Sequence, residues 1–313
     1  MSLRIRLLFC FCIMGLAPKG QGTQAGDISF TFNYDASFTT SAGTHLTAAQ
    51  SDFAFVGTYI SSLVKTDFTG NAVVEIDVSG SNDSSSGVLA SAGGYTNGND
   101  GFEKSFTQLL VQNNEKNTFS LPEAFSSINF DWNWGYGGST TSTEIDFRYV
   151  LLHEMFHALG FESVIDASGA STYGNSYNDF DQYVKGWDGS KYVNLVDRDS
   201  SNIPTGVIAN AANAVVDNAH PLLFDGPNVR AYLNAGAELY TPSVFEAGAS
   251  ISHYNYPGQL EYFQIGYGSK SFGFSGLDQA FLKDLGYTVV PEPGTCMLSV
   301  ASLIILVGAR RKS

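Results

Sequence analysis

The stretch His153-Glu154-Met155-Phe156-His157 constrains this chain more than any other. Side chains four residues apart lie on one face of an α-helix, one turn apart, so both imidazoles reach a common point only if the segment is helical. The flanking residues agree. Thr143 or Ser142 is read as the N-cap, and Glu144 and Asp146 suit the positive N-terminal end of a helix. Ile145, Val150, Leu152, Phe156 and Leu159 are its apolar residues, and Gly160 offers a C-terminal stop.

That arrangement points to metal chemistry. His153 and His157 can hold one Zn²⁺, and Glu154 beside them can take a proton from water whose pKa the ion lowers towards about 7. A catalytic zinc usually has a third protein ligand. His45, His220 and His253 are the remaining histidines. His45, before the first expected helix, reads as a surface or cap residue. His220, before Pro221, reads as a structural loop residue. Among carboxylates, Glu162, Asp179 and Asp181 are the alternatives.

Leu151 to Phe161 resembles the active-site helix of the zincin metallopeptidases, most closely the metzincin motif H-E-x-x-H-x-x-G-x-x-H. Gly160 stands at the glycine of that motif, but Ser163 stands where the short motif has its third histidine. A leishmanolysin-like subgroup carries a long insertion there. Gly248-Ala249-Ser250-Ile251-Ser252-His253 resembles its third-ligand segment, and residues 222–287 resemble bacterial secreted relatives. The resemblance implies a zincin-like, two-lobed α+β catalytic domain and zinc held by His153, His157 and His253. It also implies Glu154 as the catalytic base in peptide-bond hydrolysis. Metzincins place a methionine turn beneath the metal, yet no methionine follows His253 before Met297. Phe263 or Ile265 is expected in that place. Tyr254, Tyr256, Tyr262 and Tyr267 are possible oxyanion donors.

Both ends read as addresses. Arg4 and Arg6 precede the apolar run Leu7–Leu16, the layout of a secretory signal peptide over residues 1–25. Pro291-Glu292-Pro293, an apolar run from Cys296 to Gly308 and Arg310-Arg311-Lys312 together resemble the PEP-CTERM sorting tail of Gram-negative bacteria. That run is shorter than the roughly 20 residues that span a bilayer. The resemblance implies an exosortase-type enzyme as partner, a transient anchor, and a secreted or cell-surface destination. The three cysteines, Cys10, Cys12 and Cys296, lie inside these ends, so the domain over 26–290 must build any metal site from histidine and carboxylate. Setting aside both ends, ten basic side chains face 29 acidic ones, which argues against nucleic-acid binding.

Between the ends, Ile28–Tyr34 alternates as a strand and residues 47–64 carry helical spacing. Ala72–Val78, Val88–Tyr95 and Ser127–Trp132 read as strands; Ser79–Ser86 and Gly135–Ser142 read as loops. Residues 163–255 are rich in Asn, Asp, Gly and Ser and form a less regular half, with a last helix over Leu277–Leu285. A cleft between the halves is the expected site for a protein or peptide substrate. A surface adhesion or matrix protein on the same scaffold is the rival reading; Glu154, which a structural zinc has no use for, argues against it.

Overall fold

The computed structural model describes residues 25–290. The tail expected over 291–313 lies outside these residues, as does the leader apart from Ala25. Among the described residues no helix is long and apolar enough to cross a membrane.

The fold is mixed α+β. Its helices are α1 (Ala36–Ala42), α2 (Leu46–Leu63), α3 (Phe106–Asn113), α4 (Phe147–Ala158), α5 (Ala211–Ala214), α6 (Pro227–Leu233) and α7 (Gly276–Asp284). The first half is organised by a four-stranded sheet in the order Ile28–Tyr34, Ala72–Ser81, Ala124–Asn129, Ala90–Gly94. The first three strands are parallel, and Ala90–Gly94 runs antiparallel at the edge. Ala72, Val74, Ile76 and Val78 are buried while Val73, Glu75 and Asp77 between them are exposed. Such two-residue alternation marks a sheet with one face on the core. α2 and α4 pack together in this half, α2 against Ile28–Tyr34 and α4 against Ala90–Gly94 and Ala124–Asn129.

The strand expected over Ala72–Val78 continues to Ser81, through residues read as a loop. Ser79, Gly80 and Ser81 pair with Ser127, Ile128 and Asn129. Gly80 allows this because a Cβ there would meet the Phe38 Cα at 2.8 Å. The strand expected over Ser127–Trp132 lies at Ala124–Asn129, and Val88–Tyr95 contracts to Ala90–Gly94. α3 was not expected, although Ser105 and Gln108 form a reciprocal capping box at its start. α4 begins later than Thr143 or Ser142 would set it. Ile145 and Asp146 pair with Trp134 and Gly135 as a short parallel bridge, so Asp146 becomes the N-cap and accepts from the Tyr149 amide at 3.3 Å.

The second half is built from short pieces. Tyr192–Asn194, Val184–Trp187, Leu223–Phe224 and Ala237–Glu238 form an antiparallel sheet, and Val196–Arg198 pairs with Pro204–Val207. An aromatic chain fastens these pieces to α7. Phe161 lies 4.8 Å from Phe281 and 4.9 Å from Phe180; Phe224 lies 4.7 Å from Phe281. Contacts of this kind add about 0.5–1.5 kcal/mol each beyond the area they bury.

α4 is buried on every side, with Arg148 its only residue outside the core, the pattern of a helix at the centre of a protein. Arg148 donates to Asp52 of α2 at 2.5 Å and lies 3.9 Å over the Phe55 ring. Asp52, itself buried, also accepts from the Gly137 amide at 2.8 Å. Asp52→Ala should therefore strand a mostly buried guanidinium and lower stability by about 3 kcal/mol, read as a shifted urea midpoint at unchanged slope. A shift within about 0.5 kcal/mol would show that this pair does not hold α4 on α2.

Candidate metal centre

α4 ends in a turn that prepares the site. Gly160 adopts φ +96°, its amide donates to His157 O at 2.8 Å, and the Phe161 amide donates to Phe156 O at 3.3 Å. These paired bonds are a Schellman stop. A Cβ at Gly160 would meet Gln108 Oε1 at 2.8 Å, so a side chain there would also displace the end of Gln108. The turn sends the Phe161 carbonyl back over the helix end, where it accepts from His157 Nδ1 at 2.6 Å. Tyr287 Oη donates to Leu159 O at 2.9 Å and fixes the same end from below.

His253 arrives from far along the chain. The chain leaves the end of α4 and returns beside it: the Ser163 amide donates to Ser252 Oγ at 3.1 Å. The position where the short metzincin motif would carry its histidine therefore lies against the residue before His253. The Tyr240 amide donates to His253 O at 2.7 Å and the Ile251 amide to Tyr240 O at 2.9 Å. Between them Ile251, buried, takes φ +71°, a conformation a β-branched residue seldom adopts.

The three imidazoles share one hydrogen-bonding pattern. His153 Nδ1 donates to Leu260 O at 2.7 Å, His157 Nδ1 to Phe161 O, and His253 Nδ1 to Ala249 O at 2.8 Å. A carbonyl only accepts, so each Nδ1 carries the proton and each Nε2 presents a lone pair. The Nε2 atoms of His153 and His253 lie 3.1 Å apart, and those of His157 and His153 3.3 Å apart. These contacts are not hydrogen bonds, because no proton sits between the nitrogens. They are close to the edge of about 3.3–3.4 Å that a tetrahedral zinc with bonds of about 2.0–2.1 Å would impose.

Burial pushes all three imidazoles down, His157 to about 4 and His253 to about 3, so they are neutral at neutral pH. Deprotonated imidazole is the form that binds metal. Glu261 completes the group. Its ligand atoms and those of His153, His157 and His253 all lie within 4.8 Å of one another, and all four residues are buried. These four side chains can hold a metal ion. Glu154 is buried in the same helix but falls outside this group. Burial raises its carboxyl to about 8; a nearby dication would lower it.

Other residues singled out in the sequence are placed elsewhere. His45 is exposed and stacks on Tyr136 at 5.1 Å; His220 is exposed, stacks on Trp187 at 4.6 Å and contacts Asp217. Glu162 accepts from Asn178, Asp179 from Gln108, and Asp181 from the Val164 and Asn178 amides; none joins the histidine group. Tyr254 Oη is spent on Asp278, and Tyr256 Oη accepts from the Glu238 amide. Phe263 stacks on Tyr240, and what lies against the imidazoles is Leu260–Glu261. Sequence reasoning passed over Glu261. Its only signal is an acid set in the apolar run Leu260-Glu261-Tyr262-Phe263.

No family model, no curated protein and no solved structure matches the chain.

Since His253 is one of the side chains that can hold a metal, His253→Ala should weaken zinc binding by a factor of about 10 or more, while His45→Ala and His220→Ala leave it unchanged. Chelator competition on the three variants is the measurement, and equal affinity in His253→Ala and wild type refutes the assignment. A second outcome concerns Asp181, whose carboxyl burial raises from 3.8 to about 7. A raised folded-state value means stability present below pH 4 and lost as pH rises through about 7. Asp181→Asn should flatten the fall in unfolding free energy between about pH 4 and 7; matching slopes for variant and wild type would show that Asp181 is ionised throughout.

Proposed function

We propose that the chain is an exported zinc-dependent peptidase of zincin type, with zinc held by His153, His157 and His253. The observation that carries this reading is the clustering of three imidazoles, with the Nε2 of His153 3.1 and 3.3 Å from those of His253 and His157, beside a buried glutamate on the same helix. Three lone pairs directed at one another repel unless a cation lies between them, and neutral imidazole is a good zinc ligand. Bound there, the ion would supply Lewis acidity towards a scissile carbonyl and an attacking water.

The protein's own part is proton management and positioning. Glu154 takes the proton of the attacking water on a carboxylate oxygen as the C–O bond forms. It then gives that proton to the amine nitrogen as the C–N bond breaks. Its place next to His153, on a helix locked into the core, fixes it relative to the ligands without a loop's freedom. The three backbone carbonyls on Nδ1 hold each imidazole in orientation and tautomer. The halves on either side of α4 would form the walls for an extended peptide. Export and tail removal at the cell surface belong to the same reading, carried by the basic-apolar leader and the Pro-Glu-Pro tail.

Glu154→Gln tests the reading. The variant should keep its zinc, since both helix histidines remain, and lose about 10²–10⁴-fold of its proteolytic rate. Zinc analysis beside digestion of an unfolded protein such as casein gives both readouts. Digestion at the wild-type rate would remove Glu154 from the chemistry, and wild-type protein that is folded but binds no zinc would remove the whole reading.

A further inference from the structure

Glu261 is fully buried, and neither carboxylate oxygen has a hydrogen-bond partner. Buried polar side chains are rarely left in that condition, because an unpaired carboxylate in a dry interior is costly. The nearest polar atoms do not help. Oε1 lies 3.5 Å from His153 Nδ1, whose proton already goes to Leu260 O at 2.7 Å. Oε2 lies 3.5 Å from His157 Nε2, which bears a lone pair and no hydrogen. Both contacts are too long to count as hydrogen bonds.

Four side chains therefore present lone pairs to one another inside a sphere a few ångströms across. The 3.5 Å from Oε2 to His157 Nε2 is close to the 3.1 and 3.3 Å between the imidazole nitrogens. Glu261 is also held rigidly in place. Its amide donates to Tyr254 Oη at 3.1 Å, its carbonyl accepts from the Tyr254 amide at 3.1 Å, and Tyr254 Oη donates to Asp278 Oδ1 at 2.6 Å. Tyr254 is the residue after the third histidine, so Glu261 is clamped to the ligand loop itself.

We infer that Glu261 is a fourth protein ligand of the ion held by His153, His157 and His253. The inference rests on the histidine site of the proposed function and deepens it. Three neutral imidazoles leave a dication with its full charge in a buried pocket. An anionic oxygen halves that charge, supplies the partner Glu261 otherwise lacks and adds a hard donor to three borderline ones. With four protein ligands a zinc would have no vacant tetrahedral position, and a reacting water would have to add to them.

The test uses Co²⁺ as probe, with Zn²⁺ in parallel, on the full chain and on Glu261→Gln and Glu261→Met. Gln has the shape of a neutral carboxylic acid, and Met is an apolar side chain of similar length. Both variants should bind Co²⁺ and Zn²⁺ about tenfold or more weakly in chelator competition. The visible d–d bands of Co²⁺ should change in position and intensity as the coordination number falls. Metal-free Glu261→Met should unfold at a higher temperature than metal-free wild type, because an unpaired buried carboxylate has gone; a merely damaged fold would unfold lower. Wild-type affinity and unaltered bands in Glu261→Gln would overturn the inference, leaving Glu261 a buried acid beside the site. Wild-type protein that takes up no Co²⁺ would overturn the histidine site as well, which separates the two failures.

Discussion

Three neutral imidazoles facing one another inside the protein are the constraint on which the rest depends. Each lone pair is costly to bury and repels its neighbours, so the fold must hold all three in place against that cost. It does so with backbone carbonyls: Leu260, Phe161 and Ala249 each take an Nδ1 proton. These acceptors come from the stretch after His253, the turn closing α4 and the loop before His253. Fixing three ring orientations thereby fixes three separate segments against one another. A metal at the centre would convert that repulsion into binding energy, which adds to folding stability wherever the unfolded chain holds the ion less tightly.

The long segment between Ser163 and His253 makes sense in these terms. About ninety residues separate Ser163 from His253, and loop closure over such a length costs only slowly more as the loop grows. The stronger requirement is that the loop return in register. Ser163 to Ser252, Tyr240 to His253 and the aromatic contacts of Phe161, Phe180, Phe224 and Phe281 supply that register without the metal. The site is thus delivered by packing, and side chains remote in sequence arrive with their nitrogens about an atom's diameter apart.

Much of this was legible in the sequence where one period dominates. The alternation in Ile28–Tyr34 and Ala72–Val78, the helical spacing that gave α2, and Gly286 after α7 all correspond to elements found within a few residues of their expected bounds. The pair His153 and His157 with Glu154 was legible because the helix itself sets their spacing. Legibility failed where partners decide. Ile145–Asp146 pairs with Trp134–Gly135 and so displaces the start of α4; Ser79–Ser81 stays extended because a neighbouring strand is there to pair with. α3 was missed for a different reason, since its capping residues Ser105 and Gln108 were present but unread. Residues 163–255 offered no dominant period, because strands of two to four residues are held by neighbours rather than by their own pattern.

Glu261, unlike Glu154 in its motif, shows why residue type alone misleads in an acidic chain. In a chain with 30 acidic residues, an isolated glutamate reads as a solvated one. Both are in fact buried and near enough for the Glu154 charge to help hold Glu261 above the usual carboxylate range, behind burial and the Asp278 charge. The Glu261 carboxylate and three neutral imidazoles cannot all keep their lone pairs bare in so small a volume: the alternatives are protonation or a cation. The histidines are already barred from taking protons at Nε2 by their own burial. Protonating Glu261 would satisfy charge and still leave the three nitrogens facing one another. A cation would answer both requirements at once, which is why the chemistry of the donor set, rather than the length of the motif, marks these side chains as able to hold a metal ion.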